Sequence, residues 1–385
     1  MAHFSIPEHV YIGKNALEEA YDLIAKLGAK AFIVTGKHTG KSSAAIEFKS
    51  LLDKNGLSYV VFDNITGEPT VDMIEEGLST YRSSGCSYIV GIGGGSPLDS
   101  AKAIAAMSAN VGSISDFVGK EITGDLPPIV AIPTTAGTGS ETTKFTVITD
   151  TKTDVKMLLK GEALIPKIAI LNPEYTLDMP ASVTASTGMD ALTHAVEAYT
   201  SQKASELTDV YAVSAIKRII DYLPRAYSDG SDKKAREQML IAAYEAGVCI
   251  NNSSVTIVHG MSRPIGALFH VAHGMSNAML IEKALGFAAK GAYEVFGTLS
   301  KELGLASDNI SNELATGLLL NKISEVRRAV KIPSLKEYGI DEEAFLKAID
   351  KMSEDAVASG SPGNTIRTVT PKDCAEIYKE AYYME

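Results

Sequence analysis

A chain of 385 residues exceeds what one ordinary hydrophobic core serves and points to two domains. Its 45% apolar content, with no long biased tract, is that of a globular protein and excludes a disordered one. A formal charge of −11 excludes a general nucleic-acid binder, because phosphate affinity needs clustered Lys and Arg.

Taken in chain order, the first half alternates short β-rich runs with helical stretches. Compact apolar runs fall at 31–34 (AFIV), 59–62 (YVVF), 88–92 (YIVGI) and 129–132 (IVAI). Runs of this kind separated by helices predict βαβ units and a buried parallel sheet. Thr146-Val147-Ile148 and Lys156-Met157-Leu158 predict a hairpin, and 168–171 (IAIL) one further strand. After about Pro180 the texture changes to long stretches of helical spacing, such as 209–222 and 235–249, with no strand runs. The expected organisation is an α/β domain over 1–180 and an all-helical domain over 181–385. The loop 359–364 interrupts the late helices. No apolar run reaches the ~18 residues that suggest a membrane span. The start, Met1-Ala2-His3-Phe4-Ser5, lacks the pattern of a signal peptide. Cys86, Cys249 and Cys374 lie far apart without CxxC pairing, so inert thiols and a reducing cytoplasm are expected.

Two loops carry phosphate-binding chemistry. The run 88–92 leads into Gly93, Gly94, Gly95 and Ser96, and Pro97-Leu98-Asp99-Ser100-Ala101-Lys102 opens a helix. Glycines at a strand-to-helix turn let backbone amides approach pyrophosphate, and the helix N-terminus adds partial positive charge. This is not the GxGxxG fingerprint, and taken alone it reads equally as a tight turn. The second loop, Pro133-Thr134-Thr135-Ala136-Gly137-Thr138-Gly139-Ser140-Glu141, also follows a strand and offers hydroxyls where a sheet's carboxyl edge binds a cofactor.

Of seven histidines, four fall in one region of the second half. Asp190 and His194 are four apart in a helical stretch, which puts a carboxylate and an imidazole on one face. His259 and His273 follow downstream. Three imidazoles and a carboxylate suit a divalent transition ion with positions left for substrate. The same spacing also serves as an ordinary helix-stabilising contact, and single histidines are more often core or surface residues.

Together GGGSPLDSAK, PTTAGTGSE, GMDALTHAVEAYT and HGM…HVAHGMSNAML resemble the iron-containing (group III) alcohol dehydrogenase family, from the Gly13-Lys14-Asn15-Ala16-Leu17 opening to the late helices. The resemblance implies a Rossmann-like N-terminal domain and a helical C-terminal domain, a dehydroquinate synthase-like fold with the active site between them. It implies Asp190, His194, His259 and His273 as ligands of Fe²⁺, with Zn²⁺ or another divalent ion also admissible. It implies cofactor contacts from Gly93, Gly94, Gly95, Ser96, Asp99, Thr134, Thr135, Thr138 and Ser140, with Lys156 nearby. The implied activity is hydride transfer between NAD(P)(H) and a small alcohol or aldehyde, in a homodimer or higher homo-oligomer. A polyol dehydrogenase of the glycerol dehydrogenase type, the related dehydroquinate synthases and a non-catalytic nucleotide-binding module are the competing readings.

Two departures stand out. Where many relatives have a second histidine four residues after His259, this chain has Arg263. A guanidinium on that face is expected to pair with an anionic substrate group or with the cofactor phosphates, the alternatives being a local carboxylate or a side chain turned to solvent. His270 is the replacement candidate for a proton relay, the alternative being support of a ligand from behind or a place on the surface. After the run 31–34, where NAD-preferring relatives often place Asp, the chain has Gly36 followed by Lys37, His38, Lys41, Ser42 and Ser43. Without the carboxylate and with cations nearby, NADP(H) is favoured over NAD(H).

Overall fold

The computed structural model describes residues 3–153 and 155–384. The chain forms two compact units, Met1–Met179 and Pro180–Glu385.

In the first unit, β1 (His9–Ile12), β2 (Lys30–Val34), β3 (Ser58–Phe62), β4 (Tyr88–Gly93) and β5 (Ile129–Pro133) lie in one sheet. The hairpin strands β6 (Phe145–Asp150) and β7 (Val155–Lys160) pair antiparallel, and β8 (Ile168–Leu171) returns to the sheet. The order is β1-β8-β5-β4-β2-β3 with every neighbour parallel. Burial explains the run composition. β4, β5 and β8 are buried along their whole length, so both faces must be apolar, whereas the edge strand β3 is largely open.

Helices α1 (Ala16–Ala25) and α2 (Ser43–Lys54) cover one face, packing Leu17, Ile24, Phe48 and Leu52 on Ile33, Val90 and Ile132. Helices α3 (Val71–Ser84) and α4 (Gly95–Ala109) cover the other, with Ile74 and Ile104 against Phe32, Ile89 and Ile129. The chain runs outward from β2 to β3, then crosses to β4 on the other side of β2. That reversal is the topological switch point, where open α/β sheets bind ligands at their carboxyl edge.

The second unit holds α5 (Ala181–Tyr199), α6 (Glu206–Ser228), α7 (Lys233–Asn252), α8 (Ile257–Phe269), α9 (His273–Ala289), α10 (Tyr293–Glu302), α11 (Asn312–Ala329), α12 (Glu342–Ala358) and α13 (Pro371–Tyr382). No strand occurs among its described residues. α5 is buried along nearly its whole length and packs on α6, α7 and α9. Gly188 makes this possible, since a Cβ there would fall 2.3 Å from Leu223 of α6. Polar caps fix the helix starts: Asp232, Ser311 and Asp341 each accept a backbone N–H, and Thr370 with Asp373 forms a capping box. Among the described residues no helix is long and apolar enough to cross a membrane. Cys249 and Cys374 are buried, Cys86 is half-buried, and all three are free thiols.

Candidate metal centre and cofactor loops

At the switch point β4 ends on Gly93 and α4 begins at Gly95, with Gly94 as its N-cap. Gly93 has φ 149°, and a Cβ there would fall 2.6 Å from Pro97 Cγ, so this turn requires glycine. The second loop runs alongside: a Cβ on Gly94 would meet Thr135 at 3.2 Å, and one on Gly95 would meet Thr138 at 3.0 Å. Thr134 N–H donates to Gly93 O at 2.9 Å, and Ser96 stands on the first turn of α4. The glycine amides, the α4 N-terminus and the threonines therefore share one edge of the sheet.

Two charged side chains, Asp99 and Lys102, hold these loops in register. Asp99 accepts from Ser140 Oγ at 2.6 Å and from Val147 N–H at 2.9 Å, so each carboxylate oxygen is engaged by the second loop or the hairpin. Lys102 is fully buried and donates to Thr143 O (2.7 Å), Thr143 Oγ1 (3.1 Å) and Phe145 O (2.9 Å). Burial pushes its ammonium down to about 8, against the pull of Asp99 and Glu141. Glu141 is buried too, which pushes its carboxyl up to about 7. Its Oε1 has no hydrogen-bond partner among the described residues.

At the end of β2, Gly36 is buried and donates its N–H to Thr39 Oγ1 at 2.9 Å, while Lys37, His38 and Lys41 are exposed. Asp63, just beyond β3, has its Cβ 3.8 Å from where Gly40 would carry one. Lys156 lies on β7 and pairs with Glu68 at 2.7 Å, outside the two loops.

In the second unit, Asp190 and His194 share a face of α5, and the sharp link from α8 to α9 brings His259 and His273 to them. Ligand atoms of all four lie within 4.8 Å of one another. From Asp190 Oδ1 the distances are 3.8 Å to His194 Nε2, 3.6 Å to His259 Nε2 and 3.8 Å to His273 Nε2. Donors ~2.1 Å from a common ion in a tetrahedral arrangement stand roughly 3.4 Å apart, so the set fits a divalent ion. Gly274 allows the approach: a Cβ there would lie 2.7 Å from Ser186 O and 3.2 Å from Asp190 Cβ. Asp190, His194 and His259 are buried, whereas 42% of the His273 side chain is exposed and marks the open side.

Two residues not singled out in the sequence complete the cluster. Glu197 is fully buried, and its Oε1 accepts from Thr256 Oγ1 (2.7 Å) and Val258 N–H (2.6 Å). Its Oε2 lies 2.5 Å from His259 Nδ1. This fixes the His259 proton on Nδ1 and leaves Nε2 to face the other ligands. Burial alone would lower the His259 imidazole, but Glu197 and Asp190 outweigh it and raise it to about 8. The neighbouring imidazoles in turn hold Asp190 well below the usual carboxylate range, against its burial. Asn277, one turn after His273, donates from Nδ2 to Asp190 Oδ1 at 2.7 Å and stands 3.1 and 3.2 Å from His259 Nε2 and His273 Nε2. Spacing offered a signal for both: Glu197 is i+3 from His194, and Asn277 is i+4 from His273.

Arg263 lies one turn after His259 on α8 and is half-buried. His270 is exposed and caps the C-terminus of α8 in the left-handed conformation, φ 54°. Among the described residues it has no hydrogen bond or ion pair to the cluster.

A parallel α/β unit with a glycine loop at its switch point, joined in sequence to a helical unit with an Asp-His₃ group, carries the parts of a nucleotide-dependent metalloenzyme. The chain belongs to the iron-containing alcohol dehydrogenase family: residues 7–173 match the family's N-terminal model and 184–382 the model of its C-terminal region. It is 35% identical to the NAD-dependent methanol dehydrogenase of Bacillus methanolicus, covering 99% of this chain and 100% of that one. It is 33% identical to the NADPH-dependent butanol dehydrogenase of Clostridium saccharobutylicum, covering 100% and 98%. Among solved structures, a 1,3-propanediol oxidoreductase superposes with a TM-score of 0.95 at 33% identity, over 99% of this chain and 100% of that one. The chain is an oxidoreductase acting on alcohols with a nicotinamide cofactor.

Proposed function

We propose that Asp190, His194, His259 and His273 hold the divalent ion, Fe²⁺ first and Zn²⁺ as the alternative, of an enzyme that interconverts a small alcohol and its aldehyde. The convergence of one carboxylate and three imidazoles within 4.8 Å carries this reading. Bound there, the ion supplies Lewis-acid polarisation of the substrate oxygen. The nicotinamide supplies or accepts the hydride.

The remaining work falls to the chain. Glu197 keeps the His259 proton on Nδ1, so Nε2 keeps its lone pair for a metal. The backbone amides at Gly93, Gly94, Gly95 and Ser96, with the α4 N-terminus, seat the pyrophosphate, and Thr134, Thr135, Thr138 and Ser140 lend hydroxyls. Asp99 acts through Ser140 and Lys102 through Thr143 to keep the second loop in place. The exposed Lys37 and Lys41 beside the buried Gly36 suit a ribose 2′-phosphate, which supports NADP(H) over NAD(H). A homodimer or higher homo-oligomer is supported by the exposed Leu207 and Val210 on α6 and Leu314 and Leu318 on α11.

The test is NADPH and NADH oxidation against neutral and anionic aldehydes, with protein reconstituted anaerobically with Fe²⁺ or Zn²⁺ and a chelated control. Metal-dependent turnover is expected. Cofactor binding without turnover under any metal would return the reading to a non-catalytic module.

A further inference from the structure

The hydrogen bonds of the cationic side chains single out Arg263. Of eight arginines, six (Arg82, Arg218, Arg225, Arg236, Arg327 and Arg367) donate to a carbonyl or side-chain oxygen, and Arg328 is exposed. Arg263 is half-buried, yet among the described residues nothing accepts a hydrogen bond from it or pairs with it. Its guanidinium keeps contact with solvent and has no protein acceptor among those residues, so it is open to an anion from outside. Its position matters as well, because residues four apart on a helix have Cβ atoms ~5–6 Å apart on one face, which sets Arg263 beside the ligand His259.

Burial holds the Arg263 guanidinium below its ordinary range, with Glu197 the nearby carboxylate that opposes this. Among the described residues no hydrogen bond joins it to Glu197, whose oxygens are directed at Thr256, Val258 and His259. With a divalent ion among the four ligands, the ion and Arg263 outweigh the carboxylates of Asp190 and Glu197 by one positive charge. One monoanion completes that balance.

We propose that Arg263 recognises an anionic group on the substrate, so the enzyme takes short aldehydes, and the matching alcohols, that carry a carboxylate or sulfonate. The proposal rests on the reading of Asp190, His194, His259 and His273 as the reacting centre. The planar fork of Arg263 suits either acid group. The four positions from His259 to Arg263 rise ~6 Å along α8, a spacing that one short substrate can bridge. In the reductive direction a bound reduced nicotinamide would supply hydride to the carbonyl carbon. The C=O π pair moves to oxygen, which takes a proton from solvent, and the acid group stays ionised. A neutral aldehyde leaves the guanidinium unpaired, which is the basis of discrimination.

The test compares succinate semialdehyde with butanal on the Fe²⁺-reconstituted enzyme, in wild type, Arg263→Gln and Arg263→Lys. The wild type should favour the semialdehyde in kcat/KM by at least ~10-fold, the range of one hydrogen-bonded charge. In R263Q that ratio should fall at least ~10-fold, mainly through KM, with R263K in between. Calorimetry of butyrate binding to the NAD(P)H complex gives a readout independent of turnover, and R263Q should bind at least ~10-fold more weakly. A wild-type ratio near one, or a ratio unchanged in R263Q while KM for NADPH rises, would overturn the proposal. If neither aldehyde turns over with any metal, the dehydrogenase reading fails by itself. Butyrate binding then still decides Arg263: weaker binding in R263Q supports its role, and equal binding overturns it.

Discussion

Replacing Glu197 by Gln tests how the cluster is held. The swap preserves volume, and the amide oxygen can still accept from Thr256 Oγ1 and Val258 N–H, which both bond Oε1. The amide NH₂ then faces His259 Nδ1, which in the wild type lies 2.5 Å from Oε2. Two N–H groups cannot share that contact, so Nδ1 must become the acceptor and the imidazole proton moves to Nε2. Nε2 is the atom 3.6 Å from Asp190 Oδ1, the one needed by a metal. Restoring it leaves a buried donor unsatisfied, at about 1–3 kcal/mol. At 1.4 kcal/mol per decade the Kd for the ion should rise about 10- to 100-fold, the range found when groups supporting metal ligands are removed. The assay is competition of metal-depleted protein against a chromophoric chelator, with circular dichroism confirming the fold. Wild-type affinity in a folded Glu197→Gln protein would refute the tautomer argument.

Other consequences are equally direct. Gly274→Ala places a Cβ 2.7 Å from Ser186 O, so the start of α9 should shift and carry His273 from Asp190. Metal content after purification should drop well below wild type, and an equal content would count against the close-packing account. Glu141 is raised from its ordinary 4.5 to about 7, so the folded chain prefers it protonated. The resulting penalty is absent below about pH 4.5 and complete above about pH 7, with a ceiling of about 3 kcal/mol. The gain in Tm from Glu141→Gln should accordingly be larger at about pH 8 than at about pH 5, and an equal gain at both would contradict this. The double change Lys37→Ala and Lys41→Ala should raise KM for NADPH roughly tenfold and leave KM for NADH nearly unchanged. Parallel changes for both cofactors would remove the case for a 2′-phosphate site there.

The strands were legible because full burial on both faces demands uninterrupted apolar runs, as in β4, β5 and β8. The hairpin and the glycine turn were legible from alternation and from residues that only that geometry admits. The co-location of Asp190 and His194 followed from helical spacing, but that of His259 and His273 depends on the packing of α5, α8 and α9 and came from family likeness. Glu197 and Asn277 went unread because many polar residues stand three or four from a histidine, and only the tertiary fold decides which reach it. Lys102 was hidden for a related reason: its acceptors are oxygens of Thr143 and Phe145, far along the chain. The bare guanidinium of Arg263 is likewise a property of what surrounds it.

The central claim is that four side chains make one metal site on which turnover depends. The decisive measurement is an anaerobic titration of metal-stripped protein with Fe²⁺, following NAD(P)H oxidation with aldehyde alongside bound iron. Single changes of Asp190, His194, His259 and His273 to Ala serve as comparisons. Activity rising in proportion to iron and saturating at one ion per chain, with iron binding weakened in each folded variant, is the predicted result. Turnover undiminished in stripped protein, or iron bound as tightly in the Asp190→Ala protein, would contradict the account.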